Sequence, residues 1–165
     1  MKKMLSAALL TVAALPASAE GFYAGFGVAN VEANEAGESW SSTNANVMLG
    51  YEVSEYIAVE GEASFVLSEG SLMGVDVGNK HMGAFVKFAL PTSGPLTPHA
   101  RLGYVKGEAT ASGNGVSVSV DETAVSYGIG ASYDFGSTTL RVDYTVADFG
   151  ETDTNVLAIG TVWKF

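Results

Sequence analysis

From Phe22 onward the chain alternates. In FYAGFGVA, Phe22, Ala24, Phe26 and Val28 fall on one parity and Tyr23, Gly25, Gly27 and Ala29 on the other. Such a period of two marks an extended strand, whose successive side chains point to opposite faces. The beat returns in Ala45, Val47, Leu49, Tyr51 and Val53; in Ile57, Val59, Gly61, Ala63 and Phe65; in Met82, Ala84, Val86, Phe88 and Leu90; and in Ala100, Leu102 and Tyr104. It continues through Val125, Tyr127, Ile129, Ala131, Tyr133 and Phe135, then Leu140, Val142, Tyr144 and Val146, and ends on Leu157, Ile159, Thr161, Trp163 and Phe165. About eight such segments predict an all-β chain with a strand number suited to a small closed barrel. Beyond residue 19 no segment carries the i, i+3, i+4 spacing of an amphipathic helix.

The opposite parity is polar or tiny. It carries Asn44, Asn46, Glu52, Glu60, Glu62, Ser64, Lys87, Arg101, Ser126, Ser132, Asp134, Arg141, Asp143 and Thr145, interspersed with glycines such as Gly50, Gly83, Gly103, Gly128 and Gly130. Alternation alone does not say which face is inside: a soluble sandwich buries the apolar stripes, and a membrane barrel turns them outward. Two features favour the second arrangement. Aromatics gather toward the stripe ends, with Phe22, Tyr51, Phe88, Tyr133 and Phe135 toward one rim, as in the aromatic girdles of membrane barrels. Connections also alternate, short at SEY and FGS, long at residues 32–42, 68–79 and 107–121. The expected fold is an eight-stranded antiparallel up-and-down transmembrane β-barrel, closed so that no backbone group faces lipid unpaired.

The start of the chain fixes its route. MKKMLSAALLTVAALPASAE has a basic start, an apolar run from Leu5 to Leu15, and Ala17 and Ala19 at the spacing read by signal peptidase. Residues 1–19 are read as a secretory signal and 20–165 as the barrel domain; the run is too short for a membrane-spanning helix. Loss of Lys2 and Lys3 takes the formal charge from −10 to −12. A chain this acidic is not expected to bind nucleic acid, which needs a basic patch. The chain has no cysteine, so the exported domain does not rely on disulfides.

The ordered stretches GFYAGFGVA, LGYEVSEYIAVEGEASF, LTPHARLGYVKGEA, YGIGASYDFGSTTLRVDYTVADFG and LAIGTVWKF resemble the small outer-membrane β-barrel family that includes the OmpA-like transmembrane domain and the opacity-type porins. The resemblance covers essentially the whole mature chain. It implies a Gram-negative outer-membrane location, multiple membrane crossings and both termini in the periplasm. Its implied partners are outer-membrane lipids and lipopolysaccharide, periplasmic chaperones and the assembly machinery. That machinery would read the closing stripe Leu157, Ile159, Trp163 and Phe165. A monomer is expected, with no cell-wall-binding domain after Phe165.

Glu60 and Glu62 share a face, and paired carboxylates invite an acid/base reading. Lys87, Arg101, Arg141 and Asp143 fall on the same polar parity of later strands, however. The expectation is an ion-pair layer filling a lumen only wide enough for side chains. A structural or surface-interaction role follows, with a narrow porin-like diffusion channel as the alternative. No enzyme, cofactor or metal site is expected. His81 is read as lying at the top of a strand and His99 in a periplasmic turn, on opposite sides of the membrane, each exposed or at a rim without a serine neighbour. The acidic loop residues, among them Glu32, Glu35, Glu38, Glu69, Asp76, Asp121, Glu122, Asp148, Glu151 and Asp153, are read as a solvated rim in preference to a cation bridge to lipopolysaccharide phosphates. Trp40 and Leu72–Met73 are read as exposed apolar residues in polar loops, with contact to a partner or to the lipid headgroup zone as the alternative.

Overall fold

The computed structural model describes residues 21–35, 38–72, 75–113, 116–149 and 152–165. The expected signal, residues 1–19, lies outside them, as do Met73 and Glu151; the side chains of Glu35, Glu38 and Leu72 are likewise outside the description. The regular structure among the described residues is all strand: β1 (Phe22–Glu35), β2 (Glu38–Glu52), β3 (Ile57–Ser68), β4 (Gly70–Leu72), β5 (Val75–Ala89), β6 (Leu96–Gly113), β7 (Val116–Asp134), β8 (Thr139–Asp148) and β9 (Thr152–Lys164). Neighbours pair antiparallel in the order β3-β2-β1-β9-β8-β7-β6-β5, and β3 pairs with β5 from Ile57↔Phe88 to Ala63↔Met82. The sheet therefore closes on itself. The short β4 continues the β3 stave past Glu69 and pairs with β5, leaving eight staves in the ring.

Cross-strand partners share a face, so the register sorts every side chain. Glu60 is 1% exposed and Arg101 3%, against 52% for the adjacent Leu102 and 67% for Ile129. The polar parity points inward and the apolar stripes outward, an exposed apolar surface far larger than a water-soluble monomer tolerates.

Three short turns and the chain end gather at one rim, here the turn end. In the first, Ser54 Oγ accepts from the backbone N–H groups of Tyr56 and Ile57 at 3.3 and 3.2 Å. In the last, Gly136 takes a φ of 96°, and its N–H donates to Asp134 Oδ1 at 2.6 Å. That positive φ is open to glycine at little cost. Outward at this rim, the Phe22 and Tyr51 rings lie 4.7 Å apart and Tyr133 and Phe135 also 4.7 Å, with Phe88 opposite Ile57. Leu157, Ile159 and Trp163 line the outward face of β9, and the Phe165 N–H donates to Phe22 O at 3.0 Å.

The other rim, the hairpin end, differs from the sequence expectation. Residues 32–42, 68–79 and 107–121 are not long loops: strand pairing runs through most of them, to Glu35↔Glu38 in β1–β2 and Gly113↔Val116 in β6–β7. A hairpin ladder satisfies its backbone in water as well as in lipid, so it need not end where the apolar band does. The 19 residues of β7 reach roughly 60 Å at the usual strand rise, about twice a bilayer's hydrocarbon thickness.

Candidate functional site

The centre of the lumen is ionic. Arg141 on β8 stands four staves from β3 by either route, so contact between them crosses the whole barrel. Its Nε donates to Asp143 Oδ2 at 2.7 Å, while its two terminal nitrogens reach both oxygens of Glu60, one at 2.9 Å. The Tyr23 hydroxyl from β1 also donates to Glu60, and Lys87 Nζ from β5 lies 3.4 Å from it and over the Tyr23 ring. Side chains from three other staves thus converge on one carboxylate of β3.

A second cluster sits beside the first. Arg101 on β6 donates to Glu62 Oε2 at 2.8 Å, lies 3.8 Å from Asp143, and stacks its guanidinium 3.6 Å from the centre of the Phe85 ring. Phe85 and Arg101 approach because Gly103, the partner of Phe85, has no side chain; a Cβ there would stand 2.8 Å from the ring. All six residues picked out from the sequence, Glu60, Glu62, Lys87, Arg101, Arg141 and Asp143, meet here, three carboxylates against three cations. Removing one member of such a buried set strands its partner's charge, at a cost of about 3–5 kcal/mol.

The two histidines correct the sequence reading. His99 is no turn residue: it lies within β6, 5% exposed, its Nε2 2.8 Å from Asp143 Oδ1. Gly130 makes room for that contact, since a Cβ there would lie 2.5 Å from His99 Nε2 and 2.8 Å from Asp143 Oδ1. His81 also points inward, with Nε2 3.0 Å from Glu62 Oε1 and Nδ1 2.9 Å from Ser64 Oγ. It therefore has both the serine and the carboxylate neighbour the sequence denied it, supplied by β3 from across the ladder. Through Arg101, which touches both Glu62 and Asp143, the histidines join one network. Parity carried the signal: His81 shares the inward parity of Lys87, and His99 that of Arg101. Tyr23 and Ser64 lie on the same inward parity of their strands.

The hydrogen-bond inventory fixes the role of Ser64. Its oxygen accepts from the His81 backbone N–H at 3.0 Å and from Asn44 Nδ2 at 3.1 Å, so its single hydrogen is directed to His81 Nδ1. His81 then presents Nε2–H to Glu62. The serine sits at a structural junction, 3% exposed.

Two cavities flank the ionic layer and share no lining residue. The one at the turn end holds about 280 Å3 among charged and polar groups, including Glu52, Lys87, His99, Arg141 and Lys164. The one at the hairpin end holds about 420 Å3, with Glu62 and His81 on its wall and mainly apolar side chains around them, Val31, Phe85, Val105 and Val156 among them. Trp40, expected from the sequence to be an exposed loop residue, lines this second cavity, because its partner Ala33 lies on the buried, inward parity of β1.

Comparison with solved structures places the fold among bacterial outer-membrane barrels. Neisserial surface protein A superposes with a TM-score of 0.75 at 18% identity, covering 88% of this chain and 98% of that one. The attachment invasion locus protein Ail of Yersinia pestis gives 0.68 at 19% identity, over 88% and 99%. The N-terminal barrel domain of Pseudomonas aeruginosa OprF gives 0.59 at 11%, over 87% and 98%. No curated protein matches the chain in sequence. The family model for the outer membrane protein beta-barrel domain matches residues 4–165, and with an inward ionic layer inside an outward apolar band, the chain belongs to that family.

Proposed function

We propose that this outer-membrane barrel is a closed, side-chain-filled protein with a structural or surface-interaction role. The observation that carries this reading is the bridge from Arg141 to Glu60, which spans opposite walls and separates two cavities with no lining residue in common. The short-turn end faces the periplasm and the extended hairpins face the exterior, the usual arrangement of this class. The stripe ending in Phe165 serves assembly, lipids and lipopolysaccharide surround the apolar band, and the chain works as a monomer.

The Ser64, His81 and Glu62 trio does not alter this reading. Acyl transfer needs an accessible oxygen and donors aimed at a developing oxyanion. Ser64 is buried, its oxygen is already fully engaged, and the surrounding backbone N–H groups belong to the ladder. A narrow channel is the second reading, favoured by the water-sized space on either side of the ionic layer.

Planar-bilayer recording separates the two. The wild-type barrel, first shown to be folded by its heat-dependent gel mobility, is expected to give no steady conductance; a stable open level would make it a channel. Arg101→Ala releases Glu62 from its guanidinium partner and is expected to introduce conductance and lower the unfolding midpoint. If neither changes, the layer is not the seal.

A further inference from the structure

The cavity at the hairpin end is built differently from the rest of the lumen. Below it the interior is ionic and each charge faces an opposite one, with Arg101 Nε and Asn46 Oδ1 left without a hydrogen bond among the described residues; here the inward parity turns apolar, through Val31, Ala33, Val105, Ala124, Ala147 and Val156. Its volume, about 420 Å3, lies within the range of small-molecule sites. Its wall also carries two nitrogen donors that are shut off from water and have no hydrogen-bond partner among the described residues, Trp40 Nε1 and Asn79 Nδ2. Buried donors left unmatched are uncommon in folded proteins. Two on the wall of one apolar cavity indicate a missing acceptor.

The charges decide what kind of acceptor. Glu62 is already held by Arg101 and His81, and Lys80 is paired with Glu108 at 2.9 Å. Glu122, also on the lining, leaves the wall acidic. An anionic ligand is repelled by that wall, and an ammonium brings no acceptor for the donors. What remains is an uncharged molecule with an apolar body and one carbonyl-type oxygen.

We propose that this cavity binds a small neutral amphiphile, an amide, ester or lactone with a short alkyl or aromatic body. Its carbonyl oxygen accepts from Asn79 Nδ2 and Trp40 Nε1 once these side chains turn toward the cavity, and its apolar part packs against Phe85, Val105 and Val156. The ionic layer forms the floor, so the molecule enters and leaves by the hairpin end.

Octanamide is a direct probe, and Trp40 a direct reporter. The chain has two tryptophans, so Trp163→Phe leaves Trp40 as the only one. In nanodiscs this protein is expected to show a saturable shift in emission with octanamide, above any change in empty discs, and at least tenfold weaker responses to octanoate and octylammonium. Ala147→Phe, which fills the cavity, is expected to abolish the response, and Asn79→Leu to weaken it about tenfold. Heat-dependent gel mobility verifies that each variant is folded; if Ala147→Phe is not, Ala109→Phe on the protruding hairpin replaces it. No saturable response to octanamide, or one that survives the filling variant, overturns the site. Equal binding of octanoate or octylammonium overturns the neutral class. Conductance does not enter this readout, so the closed-barrel reading and the site fail separately.

Discussion

The two ends of the same strands obey opposite rules. On the lower part of β6–β7 the outward parity is Leu102, Tyr104, Val125 and Tyr127, and the inward parity holds Arg101, Gly103, Ser126 and Gly128. Higher on the same hairpin the outward parity becomes Lys106, Glu108, Thr110, Ser119 and Asp121, with Lys106 2.6 Å from Asp121 and Thr110 3.0 Å from Ser119. The inward parity becomes Val105 and Ala124, each 5% exposed, and then Ala109, Val118 and Val120, which are exposed near the hairpin tip. β1 inverts in the same way, from outward Phe26 and Val28 to outward Glu32, and from inward Gly25 and Gly27 to inward Val31 and Ala33. Nothing in the backbone changes at the crossing; the surroundings do. Where lipid lies outside, apolar side chains face out and polar ones pair inside; where water lies outside, the polar face turns to it and the apolar face turns to the axis. The inversion therefore marks the edge of the apolar band on the hairpin side, and it is why an apolar cavity can sit directly on an ionic floor.

The sharpest way to break the comparison is to strike the ionic half. Arg141→Ala leaves Glu60 and Asp143 buried without their main partner, and is expected to cost about 3–5 kcal/mol in urea unfolding from lipid vesicles. A loss under 1 kcal/mol would mean that water enters the layer and screens it. Next, Ile129→Arg places a cation in the outward lipid-facing band and is expected to cost about 2–4 kcal/mol, whereas Ser119→Arg on the same strand beyond the inversion should stay within about 0.5 kcal/mol. Equal costs at both positions would erase the boundary. Smaller again is Gly130→Ala, whose Cβ meets His99, Val142 and Asp143 at 2.5–2.8 Å, with an expected cost of about 1–3 kcal/mol. Gly61→Ala, where a Cβ meets nothing within 4 Å, is its neutral control.

The smallest effect is expected at the exposed pair on the outer hairpin. The Lys106 N–H bond holds the Asp121 carboxyl below the usual aspartate range, and Asp121 in turn raises the Lys106 ammonium. Both shifts favour the charged pair, so its contribution is present at neutral pH. It is lost as pH falls through the lowered Asp121 value, or as pH rises past that of Lys106. Both side chains lie in water, so Asp121→Asn should leave the unfolding midpoint at pH 7 unchanged within measurement error. A clear drop would mean that the hairpin is held by more than its ladder.

How much of this was legible beforehand can be followed residue by residue. Parity alone put Glu60, Glu62, Lys87, Arg101, Arg141 and Asp143 on one side of the sheet, since it depends only on local backbone geometry. The same parity included His81 and His99, but reading each by its neighbours in sequence sent them to a rim and a turn. Their partners lie on other staves: His99 meets Asp143 44 positions away, and His81 meets Glu62 19 positions away. The reach of the hairpins was missed for a related reason. Polar residues after an apolar stripe look like a loop, yet here they are a strand whose outer surroundings have changed.

By itself, the sequence determined the period of two, the two sets of side chains it separates, and the short turns at one rim, because each rests on contacts between near neighbours. Only the tertiary structure decided that the ring closes through β3 and β5, that Arg141 crosses to Glu60 over 81 positions of chain, and that Trp40 belongs to a cavity wall. Which face is the interior is a property of the closed ring and the medium around it, and no single strand contains that information.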